Sequence, residues 1–303
     1  MTPSTQSTIR PSTHGRGTGG WRRRVALVTG VLTAAGAALA VQAPAAQASP
    51  AHHDRTVYVA LGDSYASGEA NPPFDTEAAD CHRSPQAWPQ LVGARLRWQT
   101  VNLACSGATT EALVSSYKGQ PAQVEQLAAL DPDVVSVTIG GNDAGFGPVI
   151  GLCLLDDCKE KGALAAAQTY IATVLPGKLS ASYKAVRAAA PGADLVVVGY
   201  PRIVPGSKDA VTGCPWLSEG ERVGLNRTAD LLNLVLRMQA YKAGAVFVDV
   251  GNSLRGHELC TADSWVYPLG LDANVSYWAH PTAPGQAAIA ASVRRTVRWL
   301  AFV

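Results

Sequence analysis

Five short apolar runs constrain this chain more than any other feature. Thr56-Val57-Tyr58-Val59-Ala60-Leu61, Thr100 to Leu103, Val134 to Ile139, Leu195 to Gly199 and Val246 to Asp249 are strand-length and rich in β-branched or aromatic residues. They are apolar on both faces, so both faces must be covered. That requirement points to a parallel sheet sandwiched by helices, a three-layer α/β/α fold. Helical stretches alternate with the runs: Trp88 to Trp98, Pro121 to Leu130, Leu164 to Ala190 broken at Pro176-Gly177, a long one after Ser218, and one opened by Pro284. Ser218 is a good N-cap for a helix to about Tyr241, with Glu221 three residues on to complete a capping box. Ile289, Val293, Val297 and Leu300 carry the helical spacing of the last stretch. No linker or repeat divides residues 49–303, which read as one domain. Strand order is not legible from the sequence. If it were 2-1-3-4-5, the ligand crevice would open between the first and third strands.

Residues 1–48 stand apart from that pattern. Arg10, Arg16, Arg22, Arg23 and Arg24 form a basic head, Val25 to Ala45 is apolar, and Ala46-Gln47-Ala48 supplies small residues for cleavage. Together these read as a secretory signal, with the twin-arginine route left open. A membrane anchor is the rival, but Ala and Gly dilute the apolar run and the cleavage site follows it. Of 25 basic and 23 acidic residues, removing the five arginines leaves 20 against 23, a net −3. The remainder has no basic stripe, so a nucleic-acid partner is not expected. All six cysteines (Cys81, Cys105, Cys153, Cys158, Cys214, Cys260) lie beyond the signal, and an even count in an exported chain argues for three disulfides. Metal binding is the rival reading, but no Cys-x-x-Cys pair or histidine cluster supports it.

The first run ends on Gly62-Asp63-Ser64, which puts a serine at the carboxyl end of a strand, where ligands bind in open α/β sheets. A serine nucleophile needs a base and needs donors for the oxyanion it creates. Five histidines are candidates for the base. His52 and His53 precede the first strand, His82 sits beside Cys81, His257 is near Cys260, and His280 immediately precedes the last helix. Position favours His280, since a loop entering a helix at the sheet edge can reach over the strand ends. For donors, Asn142 closes the third strand, Gly107 follows the second, and the Ser64 N–H lies at a strand-to-helix turn. Taken singly, each has a plainer reading as a turn, a cap or a strand exit. Their convergence on one side of one sheet is what favours chemistry.

At these residues the chain resembles the SGNH (GDSL-type) hydrolases. Gly62-Asp63-Ser64, Gly107, Gly140-Gly141-Asn142-Asp143 and His280-Pro281 match that family's four blocks in order, over about residues 56–303. The likeness is to the secreted actinobacterial lipases and esterases. It implies a flavodoxin-like five-stranded parallel sheet, with Ser64 as nucleophile and His280 as base. It also implies an oxyanion hole of Ser64 N–H, Gly107 N–H and Asn142, and disulfides Cys81–Cys105, Cys153–Cys158 and Cys214–Cys260.

One departure bears on mechanism. Many members carry Asp-x-x-His, whereas Tyr277 stands three residues before His280. The imidazole tautomer still has to be fixed. A Ser–His dyad oriented by the Tyr277 main-chain carbonyl is expected, with Asp272 or Asp263 as the rival carboxylate. The expected activity is carboxylic ester hydrolysis by a secreted monomer on an ester or lipid substrate, with no cofactor, no metal and no retained membrane anchor. Phospholipase or lysophospholipase, polysaccharide deacetylase and polyester hydrolase would use the same site, and a non-catalytic binding protein is the rival class. Tyr65, Trp216, Trp265 and Trp278 are candidates to line an apolar acyl pocket.

Overall fold

The computed structural model describes residues 55–206, 214, 216–270 and 274–302. The segment read as a signal, His52, His53 and Asp272 lie outside them. Five parallel strands, β1 (Val57–Gly62), β2 (Gln99–Asn102), β3 (Val134–Thr138), β4 (Asp194–Val198) and β5 (Val246–Val248), form one sheet in the order β2-β1-β3-β4-β5. Each strand falls on one of the five apolar runs. The helices are α1 (Ser64–Ser67), α2 (Trp88–Leu96), α3 (Leu127–Leu130), α4 (Phe146–Leu155), α5 (Ala163–Thr173), α6 (Leu175–Ala189), α7 (Glu219–Lys242) and α8 (Ala283–Val297).

Alternation along the strands builds the two outer layers. Val59, Leu61, Val135, Val137, Leu195 and Val197 pack in one core with Leu179 and Tyr183 of α6 and Leu232 and Leu236 of α7. Tyr58, Ala60, Val134, Val196 and Val198 face the other way, onto Trp88 and Val92 of α2 and Ile289 and Val293 of α8. Each fully buried large side chain contributes about 1.5–3 kcal/mol relative to exposure. A third core, around Val149, Ile150, Leu164 and Leu225, joins α4, α5 and the start of α7.

Helix ends follow their local chemistry. Ser218 and Glu221 form the reciprocal capping box of α7. Pro176 lies in the first turn of α6, where its missing N–H costs nothing, and separates α5 from α6. Two stretches differ from the sequence reading. Residues 121–130 are a 3₁₀ turn (Gln123–Gln126) and the single turn α3, because Gln123 is drawn away to bond Gly62. The Gly-rich α4, unread in the sequence, is helical because its apolar side packs on α5 and α7, which outweighs weak propensity. The cysteines stand in three bonds, Cys81–Cys105, Cys153–Cys158 and Cys214–Cys260.

Candidate active site

The strand order reverses its direction of growth between β1 and β3, so the crevice at their carboxyl ends is where a ligand is held. The two strands end together, with Gly62 paired to Thr138 and Asp63 N–H bonded to the Thr138 carbonyl at 3.0 Å. Gly62 has φ +139°, and a Cβ there would lie 2.2 Å from the Thr138 oxygen, so only glycine lets the strands approach this closely. The Gln123 amide accepts from Gly62 N–H at 2.7 Å and donates to its carbonyl at 2.9 Å, fixing the turn from outside.

Ser64 is the first residue of α1. The Asp63 carboxylate caps that turn by accepting from Tyr65 N–H at 3.0 Å, which orients the Ser64 peptide toward the crevice. Among the described residues no main-chain acceptor takes the Ser64 N–H or the Gly107 N–H. The loop carrying Gly107 is held on both sides: Ser106 N–H bonds Cys81 carbonyl, Ala108 N–H bonds Cys105 carbonyl, and Lys118 Nζ donates to Ser106 carbonyl at 2.8 Å. Gly107 has φ +81°, and a Cβ would meet the Tyr117 hydroxyl at 2.8 Å, so a side chain is excluded by space and by backbone conformation. Asn142 spends one amide hydrogen on the Ala108 carbonyl at 2.8 Å, which leaves its second N–H for the crevice. Asp143 points away and accepts from Thr110 N–H (2.8 Å) and Oγ1 (2.6 Å), tying the β3 end to the Gly107 loop.

His280 arrives from the loop before α8. That loop is stitched to α1 and its exit: Tyr65 Oη donates to Ala279 carbonyl at 2.8 Å, and Asn71 Nδ2 donates to Pro281 carbonyl at 2.9 Å. Tyr65 and His280 rings lie 5.5 Å apart. Burial lowers the imidazole pKa below its ordinary value; Glu69, then the carbonyls of Trp278, Tyr277 and Ser276, act in the opposite sense. The imidazole therefore stays neutral at neutral pH. The Tyr277 carbonyl accepts the main-chain N–H of His280 at 3.1 Å, and His280 Nδ1 is buried without a hydrogen-bond partner among the described residues. Asp263 sits 3.1 Å from His257, which stacks flat on Trp265, and His82 is engaged by Glu69.

Ser64, Gly107, Asn142 and His280 all line one cavity of about 240 Å³. Beyond them its wall is mostly apolar, with Phe146, Val149, Ile150, Ile171, Leu225 and Leu232. Tyr65 and Trp278 share in the lining, whereas Trp216 and Trp265 pack against the third core.

Sequence reasoning missed Tyr200, just after β4. Its hydroxyl donates to Asp63 Oδ2 and accepts Gly141 N–H at 3.1 Å, so one phenol joins the residue before Ser64 to the residue before Asn142. Asn233 of α7 clamps the Tyr200 backbone on both sides at 2.8 Å. The available signal was Asp63 itself, since an acid at the end of a buried strand demands a partner. Burial raises the Asp63 carboxyl from its ordinary 3.8 to about 7, against the lowering effect of the Tyr200 bond. The folded state then keeps a proton that the unfolded chain gives up near pH 4, so stability falls as pH rises through that window. Relative to the parent, Asp63→Asn is expected to gain about 3 kcal/mol between pH 5 and pH 8. Urea unfolding at the two pH values checks this; an unchanged difference would place the Asp63 carboxyl in the ordinary range.

Comparison with known proteins matches residues 60–288 to the model of the GDSL-like lipase/acylhydrolase family. Lipase 1 of Streptomyces coelicolor is 39% identical over 269 residues, covering 87% of this chain and 94% of the relative. A lipase of Streptomyces rimosus is 38% identical over 264 residues, covering 86% and 91%. Two solved structures superpose with a TM-score of 0.71 over 80% of this chain and 99% of theirs: phospholipase A1 from Streptomyces albidoflavus NA297 (36% identical) and the extracellular lipase of Streptomyces rimosus (34%).

Proposed function

The chain belongs to the GDSL-like lipase/acylhydrolase family and is a carboxylic ester hydrolase, and from that premise we propose that it works through an acyl-enzyme on Ser64. His280 takes the Ser64 proton as Oγ attacks the ester carbonyl. The oxyanion accepts from Ser64 N–H, Gly107 N–H and the spare amide hydrogen of Asn142. His280 then protonates the departing alcohol, and a water activated by the same imidazole releases the acid. The observation that carries this reading is the meeting of two uncommitted main-chain donors, one half-committed amide and a neutral histidine around the mouth of a single apolar cavity.

The pair acts as a dyad. A main-chain carbonyl of the turn before His280, such as that of Tyr277, takes the place of the carboxylate of Asp-x-x-His once the ring is charged; at rest Nδ1 has no hydrogen-bond partner among the described residues. The proposed substrates are esters whose acyl chain fills the apolar cavity, including glycerides and the 1-acyl bond of phospholipids, in keeping with the lipase and phospholipase A1 relatives. Export through a signal in residues 1–48 agrees with three disulfides and with an extracellular relative.

The acyl reading makes a graded prediction. Each methylene taken from water into the cavity is worth about 0.8 kcal/mol, or roughly fourfold in kcat/KM. On p-nitrophenyl esters, kcat/KM is expected to rise at least tenfold from acetyl to hexanoyl and to level off once the cavity is full. A flat series, or a maximum at acetyl, would instead favour a deacetylase. Phosphatidylcholine run alongside distinguishes phospholipase from neutral-lipid preference.

A further inference from the structure

The exit of α1 holds a buried acid that the mechanism above does not use. Glu69 is wholly inaccessible to solvent, and its main-chain N–H bonds the Ser64 carbonyl at 3.1 Å. One carboxylate oxygen accepts from His82 Nδ1 at 2.7 Å, while the other, Oε1, is buried without a hydrogen-bond partner among the described residues. His280 Nδ1 is buried in the same condition. Asn71 binds the two segments together, donating to the Glu69 carbonyl and the Pro281 carbonyl, each at 2.9 Å. A fully buried carboxylate and the unpartnered nitrogen of an imidazole that must become charged are thus held on adjoining, cross-linked loops.

Building on the Ser64–His280 reading, we propose that Glu69 is the charge behind His280: a positioning residue, supplied from the exit of α1, that stabilises the imidazolium through the protein interior without a direct hydrogen bond. It would do the electrostatic work of the missing carboxylate. Low local polarity is what lets such a field act across a gap, since water no longer screens it. Consistent with this, Glu69 is the largest influence favouring the charged form of His280, and it acts on Tyr277 as well. Tyr65 of α1 packs against this imidazole and Tyr277 stands in its own loop; burial raises both above their ordinary values, so neither supplies charge near neutrality, and Asp63 with Tyr200 lines the same cavity. His82, partly exposed, pairs with Glu69 at 2.7 Å.

Glu69→Gln keeps the side-chain shape and an acceptor for His82 while removing the charge. The variant is expected to lower kcat about tenfold with KM within twofold, and to move the acid limb of the kcat/KM profile to lower pH, because His280 loses the support that holds its proton. Glu69→Asp, which restores the charge, is expected to return the limb toward the parent's position. An acid limb unmoved in Glu69→Gln, or one moved equally by Glu69→Asp, would overturn the proposal. Should Glu69→Gln not fold, His82→Gln retains the carboxylate and removes the neighbouring imidazole. In it, the Glu69 side-chain ¹³C resonance is expected to step as His280 titrates, and a flat resonance would overturn the proposal. Activity surviving in His280→Ala would instead remove the Ser64–His280 reading on which this rests.

Discussion

Ser64→Ala and His280→Ala are each expected to cut kcat on a soluble p-nitrophenyl ester by about 10⁴- to 10⁶-fold, and the double variant by no more than either alone. The two side chains act as one device. Without the base the hydroxyl is a weak nucleophile, and without the hydroxyl the base has no proton to take. Residual turnover should come from the oxyanion donors and from substrate binding, which neither substitution touches. Ser64 stands at the start of a one-turn helix whose cap is Asp63, so its replacement leaves the backbone bonds in place. Near-ultraviolet circular dichroism should therefore match the parent. Asp263→Asn is the matched control: its carboxylate belongs to His257, and kcat should stay within a few-fold of the parent. Additive losses in the double variant would mean that Ser64 and His280 serve separate steps.

Asn142→Ala is expected to lower kcat by about 10²- to 10³-fold with a much smaller change in KM, the signature of a donor that matters most at the transition state. The geometry sharpens that expectation. One amide hydrogen of Asn142 is anchored on the Ala108 carbonyl, so the other is aimed before substrate arrives and needs no reorganisation during the reaction. Asn142→Asp should be worse than alanine. It replaces a donor by an acceptor, sets a negative charge against the developing oxyanion, and faces the Ala108 carbonyl with a second acceptor. Steady-state kinetics on one ester for the three proteins decides the matter. A loss confined to KM would assign Asn142 to ground-state binding.

The architecture was legible because its signal is local and repeated. Strands apolar on both faces, such as Val134 to Thr138, can only be buried from two sides, and Ser218 with Glu221 announces a helix start within four residues. Strand order was not legible, since nothing in β1 or β3 says which neighbour it takes until helices are packed on both faces. Helix 121–130 was misread because Gln123, which looks like a helix-surface residue, is recruited 61 residues away by Gly62. The helix α4 was missed because Gly147 and Gly151 lower its propensity while its neighbours hold it.

The site divides along the same line. Ser64 sits at a strand-to-helix boundary, and Gly107, Asn142 and His280 sit in the loops next to strand or helix ends, so position along the chain suggested them before any geometry was known. Tyr200 and Glu69 carry no such mark. Tyr200 reaches Asp63 across 137 residues of chain, and Glu69 approaches the His280 loop through Asn71, whose bond to Pro281 spans 210. Their importance comes from burial and from the partners folding gives them, neither of which is written in local pattern.

The central claim, that His280 activates Ser64 to attack an ester carbonyl, is tested most directly by labelling with a fluorophosphonate and locating the adduct by peptide mass spectrometry. The account predicts a single adduct on the peptide containing Ser64, activity lost in proportion to labelling, and labelling suppressed in His280→Ala. An adduct on another residue, or full activity in protein labelled at Ser64, would contradict it.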